Sequence, residues 1–214
     1  IPFYIFPVLA LICNIIVVTG NCINYIKAGN HNFKLLIPFL IGSIPMAFIG
    51  GTLEISKGMF EILLFLVLSI SGLLLLINNK AYQESSLIIK KSNPFLFILI
   101  GSTIGLISGI VGIGGGIFLS PMLFLFKFEK PKKIVTSTSM FILINSLSGI
   151  LGQLTKETVI NEILIYSPLF FSVLVGGLIG NYLNLKIFNS RVLAIITSLL
   201  VIFLSIRMGI KIFL

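Results

Sequence analysis

The sequence predicts an all-α fold, a polytopic transmembrane helix bundle composed of two repeated halves with inverted topology. Three observations lead to this fold class. Apolar residues fall in blocks about as long as a bilayer is thick, proline and glycine recur at one fixed offset, and matched loops of the two halves carry opposite charge. We therefore expect a chain that crosses a lipid bilayer several times.

The composition argues against a soluble domain. Of the 214 residues, 57% are hydrophobic and only 10% are charged, whereas a soluble domain carries roughly 25% charged residues. No alternating strand pattern appears, so helices rather than a closed barrel must satisfy the backbone in lipid. The net charge of +9 does not predict a nucleic-acid partner, because the lysines lie between apolar blocks, as in the cytoplasmic loops of membrane proteins.

The apolar blocks define the expected helices and the organisation of the chain. There are seven of them: Pro2–Ile26, Leu35–Leu53, Phe60–Ile77, Pro94–Phe126, Ile134–Leu154, Ile160–Leu185 and Val192–Phe213. Residues 1–79 form the first predicted repeat, residues 80–93 a cytoplasmic linker, and residues 94–214 the second repeat. The first repeat is expected to be truncated, since the chain opens on Ile1 with neither an initiator methionine nor a basic segment.

The repeat rests on residues that recur 130 positions apart. Pro38 matches Pro168 and Gly50 matches Gly180, each pair at the same place in its block. Coincidence is the alternative in so apolar a chain. The matched loops differ in charge, since the first basic loop, at Lys27, aligns with an acidic one. Such opposite bias is expected of an inverted repeat, whose substrate site lies near the bilayer midplane.

Loop charge also predicts a hairpin in the fourth block. The positive-inside rule places the lysine-rich loops 78–93 and 127–133 on the same side of the membrane. The block Pro94–Phe126 lies between them and would be about 50 Å long as one straight helix. We expect a helix pair or re-entrant segment that turns at the glycines. The alternative, a single tilted helix, would leave four lysines outside.

The glycine break Gly112–Gly116 is the predicted working part. Four glycines in five residues cost about 1 kcal/mol each in a helix, so the helix should unwind there, in surroundings of protein or water. The N-terminal N–H groups of a half-helix could then face an anion. Close packing is the alternative, and it is the preferred interpretation for Gly101, Gly105 and Gly109, which are spaced by four. A dinucleotide site is excluded, since Ile117 takes the third glycine position.

A family resemblance follows from these residues. The pattern GxxSGxxGxGGGxxxxP from Gly105 to Pro121 resembles that of the TauE/SafE sulfite-exporter-like permeases. Thr136–Met140 and Asn21–Gly51 resemble that family's Thr/Ser segment and its first-half region, so the resemblance covers most of the chain. It implies a multi-pass permease for small anions, such as sulfite or sulfonates, in a bacterial cytoplasmic membrane.

Hydroxyl and amide side chains complete the predicted site. The run Thr136–Ser139 could cap a helix or line a path, and Thr138, Asn145 and Ser148 share one helix side that would suit a polar seam facing the break. The predicted substrate-binding residues are Ser108, Gly112, Gly114, Gly115, Gly116, Pro121, Thr136, Ser137, Thr138, Ser139, Asn145, Asn14 and Asn21.

The chemistry points to transport rather than catalysis. No nucleophile–base set and no metal or cofactor motif is present in the sequence, so neither an enzyme nor a bound metal or cofactor is expected. The expected partners are the lipid bilayer and a small anionic substrate, and a homo-oligomer is compatible with the sequence. The alternative function is a non-transporting membrane subunit that anchors or assembles a partner protein.

Overall fold

The computed structural model of the protein describes residues 2–27, 29, 33–77, 94–125, 128–129, 131–156, 163–186 and 190–213. The predicted linker 80–93 lies outside these ranges. Within them the chain forms eight α-helices and one 3-10 turn, which are α1 Phe6–Lys27, α2 Phe33–Thr52, α3 Lys57–Ile77, α4 Pro94–Val111, α5 Gly116–Leu125, α6 Pro131–Gln153, the turn Ile163–Tyr166, α7 Ser167–Lys186 and α8 Ser190–Phe213.

The helical membrane fold is confirmed. In the described part of the chain, six helices are long and apolar enough to cross a bilayer. Large apolar side chains are widely exposed on the outer helices, and Phe171 on α7 keeps 72% of its surface accessible. Since water would disfavour such a surface, these faces contact lipid. The protein is a multi-pass membrane protein.

The predicted hairpin in the fourth block is also confirmed. The ring of Phe97, near the start of α4, lies 5.2 Å from the ring of Phe128, which follows α5. It also stacks at 4.6 Å on Phe39, near the start of α2. The block therefore begins and ends at the same end of the bundle. We call this the basic end, since Lys27, Lys34 and Lys133 lie there. We call the opposite end, with Glu54 and Glu61, the acidic end.

Glycines allow α2 and α4 to pack in close contact. A Cβ atom on Gly101, Gly105 or Gly109 would collide with the carbonyl oxygens of Phe39, Ser43 and Ala47 respectively. The contacts advance together along both helices, so α2 and α4 run parallel. The interpretation of these three glycines as packing residues is confirmed.

Two further helix pairs run antiparallel. On α1 and α6, Leu11 lies against Gly149. On α3 and α8, the hydroxyls of Ser69 and Ser205 are 2.6 Å apart, and Lys211 forms a 2.8 Å salt bridge with Glu61 at the acidic end. The offset of 130 residues relates α1 to α6 and α3 to α8, and an inverted repeat requires that such related helices run in opposite directions. The repeat itself stays a prediction.

The apolar core lies toward the basic end. Side chains from four helices form it, and all are buried: Leu36, Phe39, Phe97, Ile104, Leu119, Leu123, Phe124, Ile134 and Phe141. These residues come from α2, α4, α5 and α6, so the core ties the hairpin to the two helices that run parallel to α4.

Candidate functional site

The backbone at the glycine break leaves the helical conformation. Helix α4 closes with a 2.8 Å bond from the N–H of Gly112 to the carbonyl of Ser108. Gly112, Gly114 and Gly115 then have φ values of 84°, 76° and 75°, in the left-handed region that only glycine enters without a steric cost. The sequence therefore needs glycine at these positions, and the predicted unwinding is confirmed.

The break carries the chain back into the interior before α5 begins. Gly112 abuts the backbone of Pro7, near the acidic end of α1, whereas Gly115 lies against Ile104 and Phe141. Ile104 is seven residues before Val111 on α4, a distance of about 10 Å along the helix. Helix α5 thus starts inside the bundle.

The N-terminal end of α5 lies at this depth. The N–H groups of Phe118 and Leu119 both bond to the carbonyl of Gly115, at 3.2 Å. The N–H groups of the first helical residues have no partner within their own helix, and the helix dipole adds partial positive charge there. An interior helix start of this kind favours a negatively charged group.

Polar side chains from α1 and α6 surround the middle of the break. A Cβ atom on Gly114 would lie 3.0 Å from both the amide nitrogen of Asn14 and the hydroxyl of Ser146, and 2.9 Å from Ile142. The Asn14 amide also donates a long bond, 3.5 Å, to the carbonyl of Gly112. Two turns from Ser146 toward the basic end, Thr138 lies beside Gly116, where its methyl carbon would be 3.1 Å from a Cβ atom on that glycine. Two helices distant in sequence therefore present polar groups to one short segment.

Several polar atoms on α4 and α6, the helices on either side of the break, are buried without a hydrogen-bond partner among the described residues. They are the hydroxyls of Ser108, Ser137, Thr138 and Ser146 and the Oδ1 atom of Asn145, whose amide nitrogen donates to Phe141. Leaving a polar group buried and unpaired costs about 1–3 kcal/mol. Most buried polar groups in proteins are paired for this reason, so these atoms keep hydrogen-bonding capacity that the described residues do not use.

No formal charge stands on the parts of α1, α4, α5 and α6 that are close to the break. Residues 6–26, 94–125 and 134–154 contain no acidic residue, lysine, arginine or histidine. The helix start and the hydroxyl dipoles therefore supply the local electrostatic potential. Fixed dipoles in a water-poor site stabilise a charge more strongly than the same dipoles would in water.

The predicted site residues are only partly brought together. Gly112, Gly114 and Gly116 meet Asn14 and Thr138 as described. The other predicted hydroxyls of the run, Thr136, Ser137 and Ser139, are all buried on α6. Their role as ligands stays a prediction.

The structure also gives the positions of three other residues. Pro121 lies five residues into α5, because the helix begins at Gly116. Asn21 lies about 10 Å from Asn14 along α1, toward the basic end, and its role as a ligand stays a prediction. Ser148 is turned away from the break and donates a 2.6 Å bond to the carbonyl of Ile44, since ten residues of helix rotate it by about 80° from Thr138.

Some residues at the break are not among the predicted ones. Ile142 and Ser146 follow Thr138 at intervals of four, so they continue its helix face, and this spacing could have identified them. Pro7 and Gln153 could not be found this way. Pro7 contacts Gly112 and the amide of Gln153 donates a 2.9 Å bond to the carbonyl of Gly109, and both contacts depend on how distant helices pack.

Comparison with known proteins places the chain among membrane transporters. Its residues 1–208 match the model of the sulfite exporter TauE/SafE family. It is 26% identical over 194 residues to the probable membrane transporter protein y4hK of Sinorhizobium fredii, with 89% of this chain and 77% of that protein covered. It is 27% identical over 214 residues to the probable membrane transporter protein YunE of Bacillus subtilis, with coverage of 88% and 75%. No solved structure matches significantly. The chain therefore belongs to the sulfite exporter TauE/SafE family of membrane transporters.

Proposed function

We propose that the protein is a permease for a small oxyanion, such as sulfite, a sulfonate or a related sulfur compound, which binds at the glycine break. The observation that carries the proposal is a helix start inside the bundle beside Asn14, Thr138 and Ser146, the last two with buried hydroxyls that have no partner in the described part of the chain. The description of the matching family as a sulfite exporter supports this class of anion.

The chemistry of the site suits a weakly held anion. N–H groups at the start of α5 and the hydroxyls of Thr138 and Ser146 donate to the oxygens of the anion and replace part of its hydration shell. A lysine or arginine at this depth would hold the anion more tightly and slow its release. A site made of dipoles alone offsets desolvation and still lets the anion leave, which a permease requires.

The direct test is anion flux in proteoliposomes. Thr138→Val removes one donor at nearly constant shape, and a hydrogen bond to a charged partner contributes about 1.5–3 kcal/mol. We expect the KM for radiolabelled sulfite to rise by about 10- to 100-fold, at about 1.4 kcal/mol per factor of ten. Ser146→Ala should behave in the same direction.

Ser71→Ala is the matched control. The Ser71 hydroxyl is equally buried and also lacks a partner within the described residues, but it lies on α3 beside Gly72, which packs against Ile202 and Val201 of α8. It should leave KM unchanged. Flux through the parent protein with equal KM in Thr138→Val, Ser146→Ala and Ser71→Ala would contradict the site, and the absence of any flux in the parent would favour a non-transporting subunit.

A further inference from the structure

A separate cavity of about 300 Å³ opens at the acidic end of the bundle. Its lining includes Tyr4, Pro7, Glu54, Ile110, Gln153 and Lys156, which come from the starts of α1 and the ends of α2, α4 and α6. A water molecule takes up about 30 Å³ in the liquid. The cavity therefore has room for an oxyanion of four or five heavy atoms together with several waters.

Lys156 provides a positive charge that neutral groups hold in place. Its ammonium donates to the carbonyl of Leu53 at 2.8 Å and to the side-chain oxygen of Gln153 at 3.0 Å. Within the described ranges, no carboxylate lies within 4.0 Å of this nitrogen. An ammonium group has three N–H donors, so these two bonds leave one donor for a ligand.

The Glu54 carboxylate does not neutralise this charge by contact. Glu54 is exposed at the rim of the cavity, where water screens it, whereas Lys156 is half-buried. Burial lowers the pKa of the Lys156 ammonium, and the neighbouring Glu54 carboxylate opposes that shift. An anion that enters the cavity therefore meets a partly desolvated cation.

The floor of the cavity is also a wall of the glycine break. Gln153 is 1% exposed and its amide nitrogen donates to Gly109, one turn before the break. Pro7 lines the cavity, and its backbone lies directly against Gly112. One layer of residues thus separates Lys156 from the site at the break.

We propose that this cavity is a second binding site for a small oxyanion, with the Lys156 ammonium as its counter-charge and Gln153 as the residue that positions it. A role for this cavity as the site that the anion occupies before it reaches the glycine break rests on the proposed function. Binding of an anion in the cavity does not rest on it, so the cavity site and the permease function can fail separately.

The test measures the potential in the cavity through a cysteine. In the purified protein with Cys13 and Cys22 replaced by alanine, Ile55→Cys places a thiol in the cavity lining. A sulfonated methanethiosulfonate reagent should modify it faster than the trimethylammonium analogue, and methanesulfonate should slow the sulfonated reagent. Lys156→Gln should lower the ratio of the two rates at least about fivefold, the effect of one unit charge at close range in water.

Two controls separate the charge of the cavity from the fold and from the general surface. Lys156→Arg keeps the charge and should keep both the ratio and the protection. Lys57→Gln removes an exposed lysine that begins α3 at the same end but does not line the cavity, and it should leave the ratio unchanged. If methanesulfonate gives no protection in the parent, or if Lys156→Gln and Lys57→Gln have equal ratios, the second site does not exist.

A flux assay distinguishes this proposal from the proposed function. With sulfite supplied at the acidic end, Lys156→Gln should raise KM severalfold, whereas supply at the basic end should give an unchanged KM. Protection without any flux in the parent would leave the cavity site standing and overturn the permease. Sulfite flux without methanesulfonate protection would leave the permease standing and overturn the cavity site.

Discussion

Gly114→Ala is the sharpest single change for testing the geometry of the break. Gly114 has a φ of 76°, and a residue with a Cβ atom pays about 1–2 kcal/mol for this conformation. The new methyl group would also lie 2.9–3.0 Å from Ile142, Asn14 and Ser146. All three contacts are side-chain atoms that can shift by a few tenths of an ångström. We therefore expect a loss of about 1–2 kcal/mol in the free energy of unfolding, set mainly by the backbone.

The measurement is thermal unfolding of the purified protein in detergent, beside the flux assay. For a chain of this size, 1 kcal/mol corresponds to a shift in Tm of about 2–4 °C, so Tm should fall by about 2–8 °C. Gly176→Ala is the matched control, because Gly176 is helical and a Cβ atom there would meet no atom within 4 Å. It should not lower Tm, since alanine favours a helix over glycine.

The two readouts separate the fold of the break from its function. The methyl group also occupies space between Asn14 and Ser146, so the KM for sulfite should rise in Gly114→Ala. A variant as stable as Gly176→Ala would refute the left-handed geometry at position 114. A destabilised variant with unchanged KM would leave the geometry standing and refute the assignment of the anion site.

Three further predictions follow from contacts elsewhere. Gly109→Ala would push a methyl group into the carbonyl of Ala47 on α2, and this overpacking should cost about 1–3 kcal/mol, measured as a fall in Tm. Methanesulfonate protection at the acidic end should weaken as pH rises, because the protonated Lys156 binds the anion and burial lowers the pKa of Lys156. The protection should be lost at lower pH in the parent than in Lys156→Arg, and identical pH curves for the two proteins would contradict this. Ser69→Ala breaks the hydrogen bond to Ser205 between α3 and α8 and should lower the free energy of unfolding by only about 0.6 kcal/mol. A coupling energy between Ser69 and Ser205 several times that value in a double-mutant cycle would contradict this.

Much of the fold could be predicted because it depends on local composition. Block length and loop charge were sufficient for the membrane helices and for the return of Pro94–Phe126 to its starting end, since hydropathy and lysine placement act through the bilayer and not through particular contacts. The packing role of Gly101, Gly105 and Gly109 was predictable for the same reason. Their spacing of four places them on one helix face whatever helix they meet.

The site was less predictable because it depends on distances between helices. The sequence indicates that Gly112–Gly116 cannot continue a helix, but not how deep the chain descends before α5 begins. That depth decides whether Thr138 or Ser148 faces the break. Lys156 lies in a loop with acidic residues, and only packing against the end of α2 makes it a half-buried cation.

The apolar core at the basic end bears on how passage through the protein should respond to temperature. An anion that moves from the break toward that end must separate side chains such as Phe39, Phe97 and Leu123, which are almost wholly buried. Exposing apolar surface raises the heat capacity, so the activation enthalpy of this step should change as the membrane is warmed. The opposite route crosses only the thin layer of Pro7 and Gln153, where little apolar surface is uncovered, and its activation enthalpy should stay nearly constant. The two directions of entry would then differ in the curvature of their Arrhenius plots even where their rates are equal.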